Sequence, residues 1–355
     1  MPHNILITGG SGYLGGTLLS AWANEKINGY DKLFALVRTE KQAESVKNLY
    51  GAEPVICSLQ QDDVRNLLVG NHITIVLYLI DAYSSRHQVS FIRALSEIKK
   101  ATGQETHFIY TTGTKQFSDM AGLLTKKPLL DTNPRLYDIQ KAQRSPHDEL
   151  LTSVNTNCTV VEAGVQYDVR VYLLSPCIVY GKGEGFGNRI SIQTVDVVNA
   201  FKAAGYAFRV GRGSQTWPVC HVHDCVSLYI SLIRAILNGE DPGYGKHGYY
   251  LASSGSICWD DIYAGVGKAL KKRGIIQNDT FAPIADGNLE RVASALHVEP
   301  SSVVVKIGGS SLYTARQGGL LGWQPQYPPK HLLETLDEEV DWILKNLGNE
   351  HLGIR

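Results

Sequence analysis

Neither charge sign is in excess in this sequence: lysine plus arginine and aspartate plus glutamate stand at 34 each, and no basic cluster is longer than Lys271-Lys272-Arg273. A phosphate backbone is met by clustered cations, so this balance argues against nucleic acid as the main partner. Long apolar runs are missing as well. No window of about 18 uncharged apolar residues is present, and the N-terminus enters a strand without a basic region and apolar leader, so neither membrane insertion nor export is expected. The six cysteines (57, 158, 177, 220, 225 and 258) form no C-x-x-C pair. Scattered thiols suit a reducing compartment better than a disulfide or zinc framework, and we read the protein as cytosolic. Repeats and low-complexity stretches are absent too, leaving a globular chain of 355 residues, long enough for two or three structural units.

What is there, from the first residues, is a strand followed by glycine. Strand-like runs at 4–8, 33–37, 54–57, 73–80, 107–111 and 169–174 alternate with helical periods at 14–24, 39–49 and 91–100. This alternation means βαβ units and a parallel sheet, and runs such as "ITIVLYLI", apolar on both faces, are its central strands. The expected fold is therefore α/β, a doubly wound Rossmann sheet with helices on both faces and a smaller C-terminal lobe. The nucleotide-binding part takes residues 1–180 plus about 224–255. The substrate lobe takes 181–223 and 256–355, with helices at about 189–204 and 257–272. Another helix is expected at 224–238, and a last amphipathic one carries Leu332, Leu336, Val340 and Ile343 on one stripe.

Gly9, Gly12 and Gly15 spell G-x-x-G-x-x-G between the first strand and the first helix. The first glycine permits a tight turn, the second a close approach of backbone to a pyrophosphate, and the third close packing of helix on strand, with the helix N-terminus facing the phosphates. At the tip of the second strand an acidic residue would accept from the ribose hydroxyls of NAD. Arg38 stands there instead, and a guanidinium suits the 2′-phosphate of NADP. We expect NADP(H), with NAD(H) the lesser alternative.

Tyr137 and Lys141 lie four apart in a helical segment, on one face. A neighbouring ammonium stabilises a phenolate and makes tyrosine a usable acid or base near neutral pH. With this pair the sequence resembles the extended short-chain dehydrogenase/reductase family, closer to dihydroflavonol-type reductases than to nucleotide-sugar epimerases. The resemblance runs over nearly the whole chain: "TGGSGYLG" at the start, "HFIYTTGT" before the pair, "SPCIVYGKG" at 175–183, "VHDCVSLYISLI" and "GLLGWQPQ". It implies catalysis by Tyr137 and Lys141 with a strand-end hydroxyl. Gly113 falls where the family's serine usually stands, so Thr112 or Thr114 takes the role and Thr112 is favoured. The resemblance also implies cofactor contacts from Thr8, Tyr13, Leu14, Ser58, Leu59, Ile80, Pro176 and Ile178, besides the glycines, Arg38 and the catalytic pair. Ser58 and Asp81 depart from the family's acidic and small apolar residues. Family members often dimerise, so a homodimer is possible.

For the substrate, the stretch "SQTWPVCHVHD" places Trp217 where nucleotide-sugar enzymes carry a diphosphate-binding arginine. An indole covers an apolar or aromatic ring and cannot neutralise a diphosphate. Candidate substrate contacts are Asp81, Thr114, Asn188, Trp217 and His221, while Arg189 and Arg212 keep a sugar reading open. His221, His223 and Asp224 are read as a strand end and a helix start, not as a metal site. The glycine-dense "YGKGEGFGN" is expected to form a mobile loop over the cleft. The leading expectation is reduction of a carbonyl, or oxidation of the matching alcohol, on a small apolar or aromatic metabolite. A redox-neutral epimerase or dehydratase, and a cofactor-sensing binding protein, are the alternatives.

Overall fold

The computed structural model describes residues 2–123, 127–211, 215–284 and 286–347. Strand and helix alternate from the start: β1 (His3–Thr8), α1 (Tyr13–Asn24), β2 (Tyr30–Val37), α2 (Glu40–Tyr50), β3 (Glu53–Ile56), α3 (Gln61–Gly70), β4 (Ile73–Tyr78), α4 (Arg86–Thr102) and β5 (His107–Thr111). Two 3-10 turns (Thr114–Phe117 and Asp119–Ala121) lead to β6 (Leu129–Leu130), α5 (Leu136–Ala142), α6 (Asp148–Tyr167), β7 (Arg170–Pro176) and β8 (Ile178–Tyr180). Then come α7 (Gln193–Ala204), β9 (Tyr206–Arg209), β10 (Thr216–His221), α8 (Val222–Leu237), a 3-10 turn (Gly245–His247), β11 (Tyr249–Ala252) and β12 (Gly255–Cys258). The chain closes with α9 (Trp259–Lys272), β13 (Asn278–Pro283), α10 (Asp286–Ala295), α11 (Val303–Ile307), β14 (Tyr313–Thr314), α12 (Gln317–Leu320) and α13 (Lys330–Asn346).

Local chemistry sets these boundaries. Thr39 caps α2 by accepting from the Gln42 N–H at 3.2 Å, and Gly51 stops it in the left-handed conformation at φ 65°. Seven strands join in one parallel sheet in the order β11-β7-β5-β4-β1-β2-β3, the doubly wound arrangement expected from the sequence. All six residues of β4 are buried, as a strand covered on both faces requires. On one face Leu18, Leu19 and Trp22 of α1 pack with Tyr229 and Ile233 of α8. On the other, Phe91 and Leu95 of α4 pack with Val160 and Val161 of α6. The chain builds β2 and β3 to one side of β1 and then crosses to place β4 on the other. At that reversal the connections diverge, leaving a crevice at the C-terminal ends of β1 and β4.

A separate apolar core joins α7, α9 and α13 to β10, which lies between β8 and β12 in a three-stranded sheet. The late chain then returns to the main sheet. β14 pairs with β6, and the buried Asp131 carboxylate accepts the N–H groups of Leu251, Arg316 and Gln317 at 3.1, 2.6 and 2.9 Å. Among the described residues no helix is long and apolar enough to cross a membrane.

Candidate active site

The turn between β1 and α1 is shaped by close backbone contact. Gly9 sits at φ 69°, and a Cβ on Gly15 would stand 2.3 Å from the Gly9 carbonyl oxygen. Gly12 begins α1 without a side-chain cap, so the first N–H groups of the helix, at Tyr13 and Leu14, face outward for an anion. Thr8 accepts from the Leu79 N–H at 2.8 Å, tying the ends of β1 and β4 together at the crevice. Arg38 is exposed at the end of β2, and its guanidinium has no hydrogen bond or ion pair among the described residues. Gln42 accepts the Arg38 N–H at 2.9 Å and reaches the Ser11 hydroxyl of the turn at 3.4 Å. Ser58 donates to Asp63 in the first turn of α3, which brings a carboxylate to the place where Ser58 replaces an acidic group. Leu59 offers its carbonyl to His87 at 2.9 Å, and Ile80 is 43% exposed beyond β4. A tight glycine turn, an uncapped helix start and a guanidinium without a partner among the described residues make this a fitting site for a dinucleotide.

The glycine-rich segment at 181–188 is not a mobile cover over the cleft. It is a strap docked along α1. The Asn188 N–H donates to the Ser11 carbonyl at 3.0 Å, the Glu184 N–H to the Thr17 hydroxyl at 3.0 Å, and the Tyr13 phenol to the Gly181 carbonyl at 2.7 Å. Cβ atoms on Gly183, Gly185 and Gly187 would fall 2.6 Å from the Tyr13 ring, 3.0 Å from the Gly12 carbonyl oxygen and 2.2 Å from the Ser11 carbonyl oxygen. Every second residue meets α1, which explains the glycine density. Asn188 and Arg189 serve the strap too: the Asn188 side chain accepts from the Ile190 N–H at 3.0 Å, and Arg189 Nε donates to the Gly185 carbonyl at 2.7 Å. Arg212 lies outside the described residues.

Tyr137 and Lys141 come together as their spacing required, but away from the crevice and with a third partner. The phenol donates to Glu162 Oε1 at 2.5 Å, Lys141 Nζ bonds the same oxygen at 2.5 Å, and Nζ stands 3.3 Å from the phenol. Lys246, just before β11, lies 4.7 Å over the Tyr137 ring, and Gln140 accepts from the Tyr249 phenol at 3.2 Å. This places the pair at the β11 edge, four strand positions from β1, which is about 19 Å at the usual strand spacing. None of its hydrogen bonds or ring contacts reaches the glycine turn. Burial and Glu162 push the Tyr137 phenol above its ordinary pKa, outweighing the opposite pull of Lys141. The expected proton-transfer role beside the nicotinamide is not supported by this placement. The strand-end hydroxyls are occupied as well. Thr111 pairs with the Tyr229 phenol at 2.7 Å, Thr112 donates to Asn157 at 2.6 Å, and Thr114 to the Pro176 carbonyl at 3.1 Å. Pro176 and the buried Ile178 form the wall of the same end of the sheet.

Trp217 is not a pocket wall. It is fully buried in the core of the second lobe, its ring 6.0 Å from Trp259. His221 lies among aromatic rings at the junction of the lobes, stacked on Tyr327 at 3.9 Å, and burial holds its imidazole neutral with a pKa pushed down to about 3. Asp224 anchors the segment after α12 by accepting from Gln326 and Tyr327 at 2.9 and 3.0 Å. Asp81 closes a turn by accepting from the Tyr83 N–H at 2.8 Å.

That turn carries one of the residues that sequence reasoning passed over. Tyr83 lies beside Glu149 in the first turn of α6, with Asp196 of α7 also near it. Lys115, next to Thr114 at the end of β5, faces Asp196 and Glu149 and donates to the Lys306 carbonyl at 3.3 Å. Burial pushes the Lys115 ammonium down to about 8, helped by Lys306 and opposed by Asp196 and Glu149. The signal was a lysine at the end of Thr111-Thr112-Gly113-Thr114-Lys115, just past the strand, hidden behind the more familiar Y-x-x-x-K spacing.

Comparison with known proteins agrees with this architecture. The model of the NAD dependent epimerase/dehydratase family matches residues 5–244. An oxidase, ucsJ, of an Acremonium species is 23% identical over 201 residues, 53% of this chain and 55% of its own, so the chain spans about half the length of that curated relative. UDP-glucose 4-epimerase of Thermotoga maritima, solved with UDP-glucose, covers 97% of this chain and 99% of its own at 15% identity and a TM-score of 0.62. Vestitone reductase of alfalfa covers 98% and 99% at 16% identity and a TM-score of 0.56. At these identities the two structures speak for the fold.

Proposed function

The chain belongs to the NAD-dependent epimerase/dehydratase family, of short-chain dehydrogenase/reductase type, and on that premise we propose an NADP(H)-dependent oxidoreductase that interconverts a carbonyl and an alcohol on a small apolar or aromatic metabolite. The observation that carries the cofactor choice is Arg38. An unpaired guanidinium beside the turn gains charge-assisted hydrogen bonds from a 2′-phosphate and nothing comparable from a bare ribose. Gly9, Gly12 and Gly15 with the start of α1 hold the pyrophosphate, and Ile80, Pro176 and Ile178 line the way toward the nicotinamide. When bound, the dinucleotide supplies the hydride chemistry.

The apolar substrate class no longer rests on Trp217. Its support is now Tyr83, 44% exposed and near Asp196, and Ile192, 59% exposed one turn before that aspartate. Large exposed apolar side chains at a crevice mark a surface that binds.

The test is NADPH and NADH oxidation with a panel of aromatic aldehydes and ketones. NADPH should be preferred by about tenfold or more, equivalent to about 1.4 kcal/mol, and Arg38→Asp should reverse the preference. A wild type that prefers NADH overturns the cofactor reading. Isomerised or dehydrated product without net NADPH consumption makes the enzyme redox-neutral, and tight NADPH binding without any turnover makes it a sensor.

A further inference from the structure

An oxidoreductase of this kind needs a proton donor for the substrate oxygen, and the residues expected to supply it are committed elsewhere. Tyr137 is bonded to Glu162 at the β11 edge, and the hydroxyls of Thr111, Thr112 and Thr114 each have a partner. Resting on the oxidoreductase reading, we propose that Lys115 is the catalytic acid and base, and that the substrate oxygen lies in the crevice between the end of β5 and the first turns of α6 and α7.

Position is the first argument. Lys115 follows Thr114, whose hydroxyl is bonded to Pro176 at the end of β7, so the lysine leaves the sheet at its C-terminal edge. The glycine turn lies on that same edge, where ligands of open α/β sheets bind. The second argument is donor capacity. Among the described residues the Lys115 ammonium makes one hydrogen bond, a long one of 3.3 Å to the Lys306 carbonyl, which leaves two of its three hydrogens for a ligand. Lys115 as a whole residue is only partly buried.

The third argument is electrostatic. The ammonium faces Asp196 from α7, Glu149 from α6 and Lys306 from α11, while the Tyr83 phenol from the turn after β4 stands against Glu149. Both helices start here, and their positive ends oppose a nearby ammonium, as do burial and Lys306. The two carboxylates resist. A lysine so balanced holds and releases a proton close to neutral pH, where a general acid and base works best.

In the reductive direction the dinucleotide, when bound, would supply the carbonyl carbon with a hydride and its two electrons. The π pair of the C=O bond moves to oxygen, the Lys115 N–H bond breaks, and its proton forms the new O–H bond. The carbonyl would thus be reduced to the alcohol at the expense of the dinucleotide, and the Lys115 amine regains a proton from water. Alcohol oxidation runs the same transfers backward.

The test combines a measurement that needs no turnover with three variants. Competitive acylation of the intact protein across pH, read by mass spectrometry of the Lys115 peptide, should give a midpoint near 8, below the ordinary lysine value. Lys115→Met should lower kcat/KM for NADPH-dependent benzaldehyde reduction by about 100-fold or more and leave the NADPH Kd unchanged. Lys115→Arg keeps the charge but cannot give up its proton near neutral pH, so it should bind NADPH and remain as slow. Added ethylamine should restore turnover to Lys115→Ala, which a merely structural lysine would not allow. A Lys115 midpoint at the ordinary lysine value, or variants within a few-fold of wild type, overturns the proposal. A wild type that fails to oxidise NADPH with any carbonyl of the panel overturns the oxidoreductase reading instead, and the labelling midpoint tells the two failures apart.

Discussion

The Tyr137 phenol donates a hydrogen bond to Glu162, five residues before the end of α6, and the same Glu162 oxygen is held by Lys141. The three side chains fasten α5 to α6 at the outer edge of the sheet. Tyr137→Phe removes one hydrogen bond from this group and leaves the ion pair in place, so it should cost about 1 kcal/mol of stability in urea denaturation. NADPH turnover should stay within about twofold, because no acid or base has been removed from the crevice; that is under about 0.5 kcal/mol of barrier. A properly folded variant with kcat lowered 100-fold would return the pair to catalysis.

The strap makes a separate prediction, since its contacts with α1 are backbone on backbone. A methyl on Gly187 has 2.2 Å to the Ser11 carbonyl oxygen, and neither side is a flexible side chain that can give way. Gly187→Ala should cost about 1–3 kcal/mol and, by displacing Ser11 from the glycine turn, weaken NADPH binding several-fold. Gly70, at the end of α3, has nothing within 4 Å of an added Cβ. Gly70→Ala should therefore be neutral or stabilising by up to about 1 kcal/mol and leave NADPH affinity untouched. Equal effects of the two substitutions on NADPH titration would refute the docking argument.

Much of the fold was legible because the hydrophobic pattern is strong where the sheet is covered on both faces. β4 and β5 read directly from "ITIVLY" and "HFIYT", and the glycine turn from its spacing. α6 was harder. It carries Ser153, Thr156 and Asn157 on its buried side, so its inner face does not look apolar, and Asn157 is there to meet Thr112. Without α6 in place, the Tyr137–Lys141 spacing looked like the pair beside the nicotinamide, and the contacts with Glu162 and Lys246, with that of the neighbouring Gln140 with Tyr249, show which flank it occupies. Trp217 was misjudged for a related reason. Alternation along β10 tells which residues share a face, but not that a second lobe covers that face with Trp259. The site residues around Lys115 come from four separate segments and share no spacing that a single sequence could display.

Glu339 links the strap to α13 and should make stability depend on pH. Its carboxylate, 5% exposed, accepts from the Gly181 N–H at 3.0 Å and the Ser191 hydroxyl at 3.3 Å. Burial pushes its pKa up to about 7, while those two donors and Lys182 pull the other way. The folded protein therefore holds the proton more tightly than the unfolded chain, where the ordinary value is 4.5. Stability linked to this group is full below that value, falls as pH rises, and is lost once pH passes 7. The loss amounts to about 3 kcal/mol between pH 4.5 and pH 7. In Glu339→Gln the amide oxygen still accepts from Gly181, and the Ser191 hydroxyl can rotate to accept from the amide nitrogen. That variant should lack the dependence and be the more stable protein at pH 8. Urea midpoints measured at intervals from pH 5 to pH 8 decide it, and parallel curves for the two proteins would show that Glu339 keeps an ordinary proton affinity in the fold.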